Sequence, residues 1–341
     1  SAIGVVVAWS SYSDHLAIEA AERSRLTAQL KVIDINLEQQ LNAASKVISL
    51  VRTSLPLLNA QKNGDVLIEQ RLQALTNAMP GVRAIIILDA QGTIQHSSQA
   101  ELVGQNFRQR DYFVTAQQNG DPNILHASAP FKSALGDLSI NVFKVNQDDK
   151  GAFAGLIGCI MDRNYFSTLL GSVIYAPDMW IGLAHGSGQL FMMVPPRPNI
   201  EGVNLNQPGS FHQRHRDSGQ TITVMSGIVR ATQDERMLAE MTIMPANLRM
   251  DQPLFVSISR DLPSIFSNWR KQTLGDAWLF AALSVFLAGI LFLYQRRQTA
   301  FDALLATQAS ERDHHHSRIS LQAQRATALL NLPQETEDLD E

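Results

Sequence analysis

Cysteine is nearly absent. Cys159 is the one thiol in 341 residues, so no disulfide can form within the chain and no Cys-rich zinc site can be built. Charge is scarce as well. Charged residues make up 18% and hydrophobic residues 45%, which excludes a wholly disordered chain. With 28 Lys+Arg against 32 Asp+Glu the net charge is −4, so no basic excess serves a nucleic-acid face. Catalytic signatures are missing too: there is no G-x-S-x-G, P-loop, H-E-x-x-H or paired-Cys motif. His185, His212 and His215 match no nucleophile by sequence logic, and the sequence predicts neither an enzyme nor a cofactor. His314-His315-His316 invites a metal reading. Consecutive helical residues point about 100° apart, so the three do not share one ion, and no metal is expected.

Long apolar runs have one strong example. Ala277 to Tyr294 reads AWLFAALSVFLAGILFLY, without a charge. As a helix it spans about 27 Å, close to the hydrocarbon thickness of a bilayer. Trp278 and Tyr294 mark its ends, Asp276 precedes it, and Arg296 and Arg297 follow. A transmembrane helix is expected over 277–294. Residues 1–11 (SAIGVVVAW at the start) are too short to span. They read as the truncated end of a first transmembrane helix or as a signal-peptide remnant. Basic residues nearly balance across the later span, so charge does not orient it.

The length allows roughly two domains between these segments. From Asp14 to Leu58 apolar residues recur mostly at spacings of three and four, with no Pro or Gly over 14–55. This predicts a long stalk helix, suited to pairing with a second copy, and a second helix over 65–78. Strand-like runs then follow at 82–88, 93–97, 125–129, 138–145 and 153–161, with a short helix near 111–117. A short helix at 165–170 precedes a second set at 180–184, 190–194, 221–228, 237–243 and 254–259. The expected fold class is α+β. A stalk with covering helices (12–78) leads to two tandem PAS-like antiparallel-sheet modules (79–165 and 166–262). A transmembrane helix and a signalling helix with linker (295–341) close the chain.

Several runs now resemble a known family. They are Arg110-Asp-Tyr-Phe113, then Gly120, Leu125-His-Ala-Ser-Ala-Pro130, Gly151-Ala-Phe-Ala-Gly-Leu-Ile-Gly158, and Asp162-Arg-Asn-Tyr-Phe166. In this order, between a stalk and a membrane helix, they resemble the double Cache (PDC, PAS-like) extracytoplasmic sensor region over roughly residues 40–262. The resemblance implies the input part of a bacterial inner-membrane receptor. Residues 12–276 would be periplasmic and 295–341 cytoplasmic, feeding a histidine kinase or a GGDEF/EAL cyclic-di-GMP output domain. It also implies a small-molecule ligand in the membrane-distal module, and a homodimer.

Candidate ligand residues follow. Arg110 can fork onto a carboxylate or cap the short helix. Tyr112 offers a ring and a hydroxyl and Phe113 a wall, one of the two being plain core because neighbours face different ways. His126 and Ser128 alternate on a strand and share a face, lining a pocket or facing water. Lys144 on the next strand supplies a second cation or is exposed, and Asp162 binds ligand or caps a helix. Amino-acid-binding members usually carry an Arg-Pro-Trp-Tyr-like run and an aspartate near Ile160. Here Ile160 cannot grip an ammonium, so a carboxylate or neutral metabolite is expected. No ligand constellation is expected in the second module. The competing reading is a periplasmic protein-interaction or structural module with an empty pocket.

Overall fold

The computed structural model describes residues 2–118, 120–132, 138–230 and 232–330, without the side chains of 2–3, 309–311, 313–318 and 325–330. The His314–His316 reading and the expected linker beyond 330 lie outside what is described. The chain divides into two bodies, residues 10–269 and the terminal segments 1–9 with 270–341.

In the larger body, helix α1 (Ala2–Asn59, which begins in the terminal segment) is followed by α2 (Gly64–Asn77), β1 (Val82–Leu88) and β2 (Ile94–Ser97). Then come α3 (Asp111–Gln118), β3 (His126–Ala127), β4 (Phe131–Lys132), β5 (Leu138–Ser139), β6 (Asn141–Gln147), β7 (Phe153–Met161) and α4 (Arg163–Gly171). The second module contains β8 (Trp180–His185), β9 (Leu190–Val194), α5 (Phe211–Ser218), β10 (Ile222–Ile228), β11 (Glu235–Ile243), β12 (Leu254–Asp261) and the short α6 (Leu262–Ile265). Helix α7 (Ser267–Leu330) runs into the second body.

Two five-stranded antiparallel sheets result, in the orders β2-β1-β7-β6-β3 and β10-β11-β12-β8-β9. Each alternates side chains between two faces. In the first sheet Ile85, Ile87, Val142, Ile157 and Cys159 face α1, while Ile86, Leu88, Phe143, Val145 and Leu156 face α3. In the second sheet Met237, Ala239, Met241, Val256 and Ile258 join the same core as α1.

Helix α1 therefore serves both sheets. Leu26, Leu30, Ile33, Leu37, Leu41, Ala44, Ile48 and Val51 fall at spacings of three and four and are all buried. Its apolar stripe is spent within the chain. A thiol in this core, Cys159, is fully buried, and burial pushes its pKa up to about 12, so it is inert. Two glycines of the GAFAGLIG run have steric reasons. Gly155 has φ +108°, and a Cβ there would lie 1.9 Å from the Leu88 carbonyl oxygen. At Gly158 a Cβ would lie 2.6 Å from Oδ1 of Asn141.

In the smaller body the two terminal segments touch: a Cβ on Gly4 would lie 3.1 Å from the ring of Phe280. One described helix is long and apolar enough to cross a membrane, within Ser267–Gln308, and its apolar window is wholly unburied.

Candidate functional site

The α3 face of the first sheet gathers part of the expected set. Arg110 precedes α3 and donates from Nη1 to the Lys132 carbonyl at 2.9 Å, its guanidinium 5.3 Å from the Phe131 ring. Tyr112 lies 5.2 Å from Phe131 and 5.9 Å from Phe143. Burial pushes the Tyr112 hydroxyl above the ordinary phenol value, opposed by the Arg110 charge. The His126 ring stacks on Phe143 at 5.0 Å. Ser128, two residues along, accepts from the backbone N–H of Asn141 at 2.8 Å. A ladder Arg110–Phe131–Tyr112–Phe143–His126 thus crosses one face.

Phe113 joins this face as core, and two expected residues, Lys144 and Asp162, go elsewhere. Phe113 is fully buried against Phe153, and it shares one core cluster with Tyr112. Positions 100° apart both reach the sheet, because α3 lies flat upon it. Lys144 sits on the other face of β6, donating from Nζ to Ser49 of α1 at 3.0 Å. Burial, then the charge of Arg52, holds its ammonium below the ordinary lysine value. Asp162 caps α4, accepting from the Tyr165 N–H at 2.8 Å.

Asn141 escaped the sequence reading. It is 0% exposed on β6, on the face of Phe143, and neither its Nδ2 nor its Oδ1 has a partner among the described residues. The Nε2 of His126 is likewise buried and unpaired. Its Nδ1–H donates to Asp251 at 2.9 Å, which leaves Nε2 of a neutral ring as an acceptor. Buried polar atoms are nearly always paired, so these two side chains stand out on this face.

Asp251 belongs to the second module and ties the two together. It also accepts from the Ala127 N–H at 3.0 Å, while the Leu125 N–H donates to the Arg249 carbonyl at 2.8 Å. His185 adds an Nε2–H bond to the Ala127 carbonyl, and burial holds its pKa below the ordinary value. Asp251→Ala leaves His126 Nδ1 and the Ala127 N–H unpaired. The expected loss is about 1–3 kcal/mol, read as a lower denaturant midpoint at unchanged slope.

No protein-family model matches the sequence, and no curated protein matches it. Solved structures do match. The extracellular domain of a protein described as a histidine kinase, rpHK1S-Z16, is 19% identical, with TM-score 0.63 over 74% of this chain and 100% of its own. The periplasmic sensory domain of the Campylobacter jejuni chemoreceptor Tlp1 is 14% identical, with TM-score 0.57 over 73% and 98%. A second such histidine-kinase extracellular domain, vpHK1S-Z8, is 16% identical, with TM-score 0.52 over 72% and 95%. The chain shares the fold of these domains. Within this fold, the ladder on the first sheet and the unpaired Asn141 lie on the side of α3, away from α1.

Proposed function

We propose that residues 12–276 are the extracytoplasmic input region of a bacterial inner-membrane receptor, and that its first module, residues 79–165, binds a small carboxylate. The carrying observation is the buried, unpaired amide of Asn141 and the unpaired Nε2 of His126 on the side of the first sheet that carries Tyr112, Phe143 and Arg110. Arg110 would supply the counter-charge, Asn141 a donor and an acceptor, and the rings a dry wall. Ligand binding would relay through the helix over 277–294 to a cytoplasmic output domain of the whole protein, a kinase or a cyclic-di-GMP enzyme, in a homodimer. A ligand shifts such a switch only by its differential affinity for the two states. The shared fold with sensor domains of a chemoreceptor and of histidine kinases supports this reading.

The test is a thermal-shift screen of the detergent-solubilised chain against mono- and dicarboxylates, amino acids and neutral metabolites. A carboxylate at 100 times its dissociation constant stabilises by about 2.7 kcal/mol. Arg110→Ala and Asn141→Leu abolish that shift. A hit that survives both variants moves the site elsewhere. Asn141→Leu carries a second expectation: without ligand it melts no lower than the parent, because it removes two unpaired buried polar atoms. A drop of several degrees assigns Asn141 to structure instead.

A further inference from the structure

The second module holds a cavity that the carboxylate reading does not use. It is a partly open cavity of about 80 Å³. Its walls are mostly apolar, with Leu190, Met193, Ile200, Leu205, Phe211 and Leu238 prominent.

The strand alternation of β11 decides what lies at its floor. Met237, Ala239 and Met241 face the α1 core, which sends Glu240 to the other side, into the cavity lining. Glu240 is 2% exposed. Beside it His212, in the first turn of α5, is 3% exposed and donates from Nδ1 to Oε1 of Glu240 at 2.6 Å. No Lys or Arg pairs with Glu240 among the described residues. Two nearby guanidiniums are engaged elsewhere. Arg236 and Arg197 stack on the Trp180 ring at 3.6 and 3.3 Å. Arg236 binds Ser259, and Arg197 meets Asp234. Arg230 stands exposed at the mouth.

The deciding atom is Nε2 of His212, which is buried and makes no hydrogen bond among the described residues. Its neighbour His215 shows what a purely structural histidine does here: both ring nitrogens are bonded, to Thr223 and Thr242, each at 2.8 Å. With Nδ1–H given to Glu240, Nε2 of a neutral ring is an acceptor. An acceptor backed by a buried carboxylate therefore lines an apolar cavity, and such a charge is costly to bury without a cationic partner. We propose that this cavity is a second ligand site, separate from the carboxylate site, for a protonated amine on an apolar body. The ammonium donates to Nε2 of His212, the Glu240 carboxylate behind the ring supplies the counter-charge through Nδ1–H, and the body fills the space toward Leu190 and Met193.

The test is calorimetric titration of the full chain in detergent and phosphate buffer. The probes are benzylamine, cyclohexylamine and isopentylamine, each with its matched alcohol and carboxylate. The amines are expected to bind at least tenfold more tightly than the alcohols. Glu240→Gln should weaken them at least tenfold. Ile200→Trp, which fills the cavity from its rim without touching the pair, should abolish binding. Amine binding should persist in Arg110→Ala and Asn141→Leu, so the two sites succeed or fail separately. Three results would each overturn the proposal: no amine binding at millimolar concentration, a preference for the carboxylates, or amine binding indifferent to Ile200→Trp. If Glu240→Gln fails to fold, Ile200→Trp and the ranking of the three probe classes decide.

Discussion

Arg260→Met is expected to cost about 3–5 kcal/mol, among the largest effects of any single substitution in the chain. Arg260, on β12, donates from Nη1 to Glu22 of α1 at 3.0 Å and from Nε to Asp178 at 2.8 Å. Both carboxylates and the guanidinium are largely buried. The Tyr175 hydroxyl also donates to Glu22, and the Asp261 N–H donates to Asp178 at 2.9 Å. Removing the cation leaves two acids facing each other without their counter-charge, and that penalty exceeds the loss of the bonds themselves. The triple variant Arg260→Met, Glu22→Gln, Asp178→Asn should recover most of the loss, since it removes the stranded charges. The network also predicts a pH response. Burial raises the Asp178 pKa, but bonds from Arg260 and the Asp261 N–H outweigh it, so the carboxyl sits below its ordinary value. Its contribution is full above the unfolded carboxylate pKa of about 3.9 and is lost as pH falls through the lower folded value. Urea midpoints between neutral pH and pH 3 check this. In Arg260→Met the acid-side loss should shrink.

Phe143→Ala is expected to cost about 3–5 kcal/mol through lost burial and the cavity left behind. The ring is 1% exposed and sits between Tyr112 and His126. No backbone element can close over the space, because β6 is fixed by β7 on one side and β3 on the other. Phe143→Leu should cost less than half as much. If the face of Phe143 is the ligand site, Phe143→Ala also lowers carboxylate affinity at least tenfold. Denaturant unfolding with and without ligand separates the two effects. A Phe143→Ala chain that loses stability but keeps full affinity removes this face from the site.

The elements most legible in sequence were those with one clear period. The expected strands 82–88, 153–161 and 190–194 coincide with β1, β7 and β9, because each is a β-rich apolar run between turn residues. The long helix was legible too, since its three-and-four spacing is what burial against two sheets requires. Its partner was not: periodicity shows that a stripe is covered, not by what, and the stretch Leu26 to Val51 packs against the two sheets. Helix α5 was missed although its signals were present. Ser210 caps it by accepting from the Gln213 N–H, and Gly219 ends it with φ +62°. It is only eight residues long and nearly devoid of apolar residues, so it has little apolar period to read.

The sites were less legible than the fold. Arg110, Tyr112, His126 and Ser128 share a face because strand and helix geometry put them there. Lys144 was mis-faced by parity alone: it is one residue from Phe143 and so points to α1. Asp162 was spent on a helix end. Asn141 and Glu240 have no local signature at all. Their meaning comes from missing or unusual partners, His126 and His212 included, and pairing is set by tertiary structure.

Hydrogen exchange of the full chain, with and without the carboxylate found by thermal shift, tests the central claim most directly. The account predicts added protection in peptides covering 110–118, 126–131 and 141–147, with 222–243 unchanged. Protection confined to the second module, or spread evenly over both, would contradict the assignment of the carboxylate site to the α3 face of the first sheet.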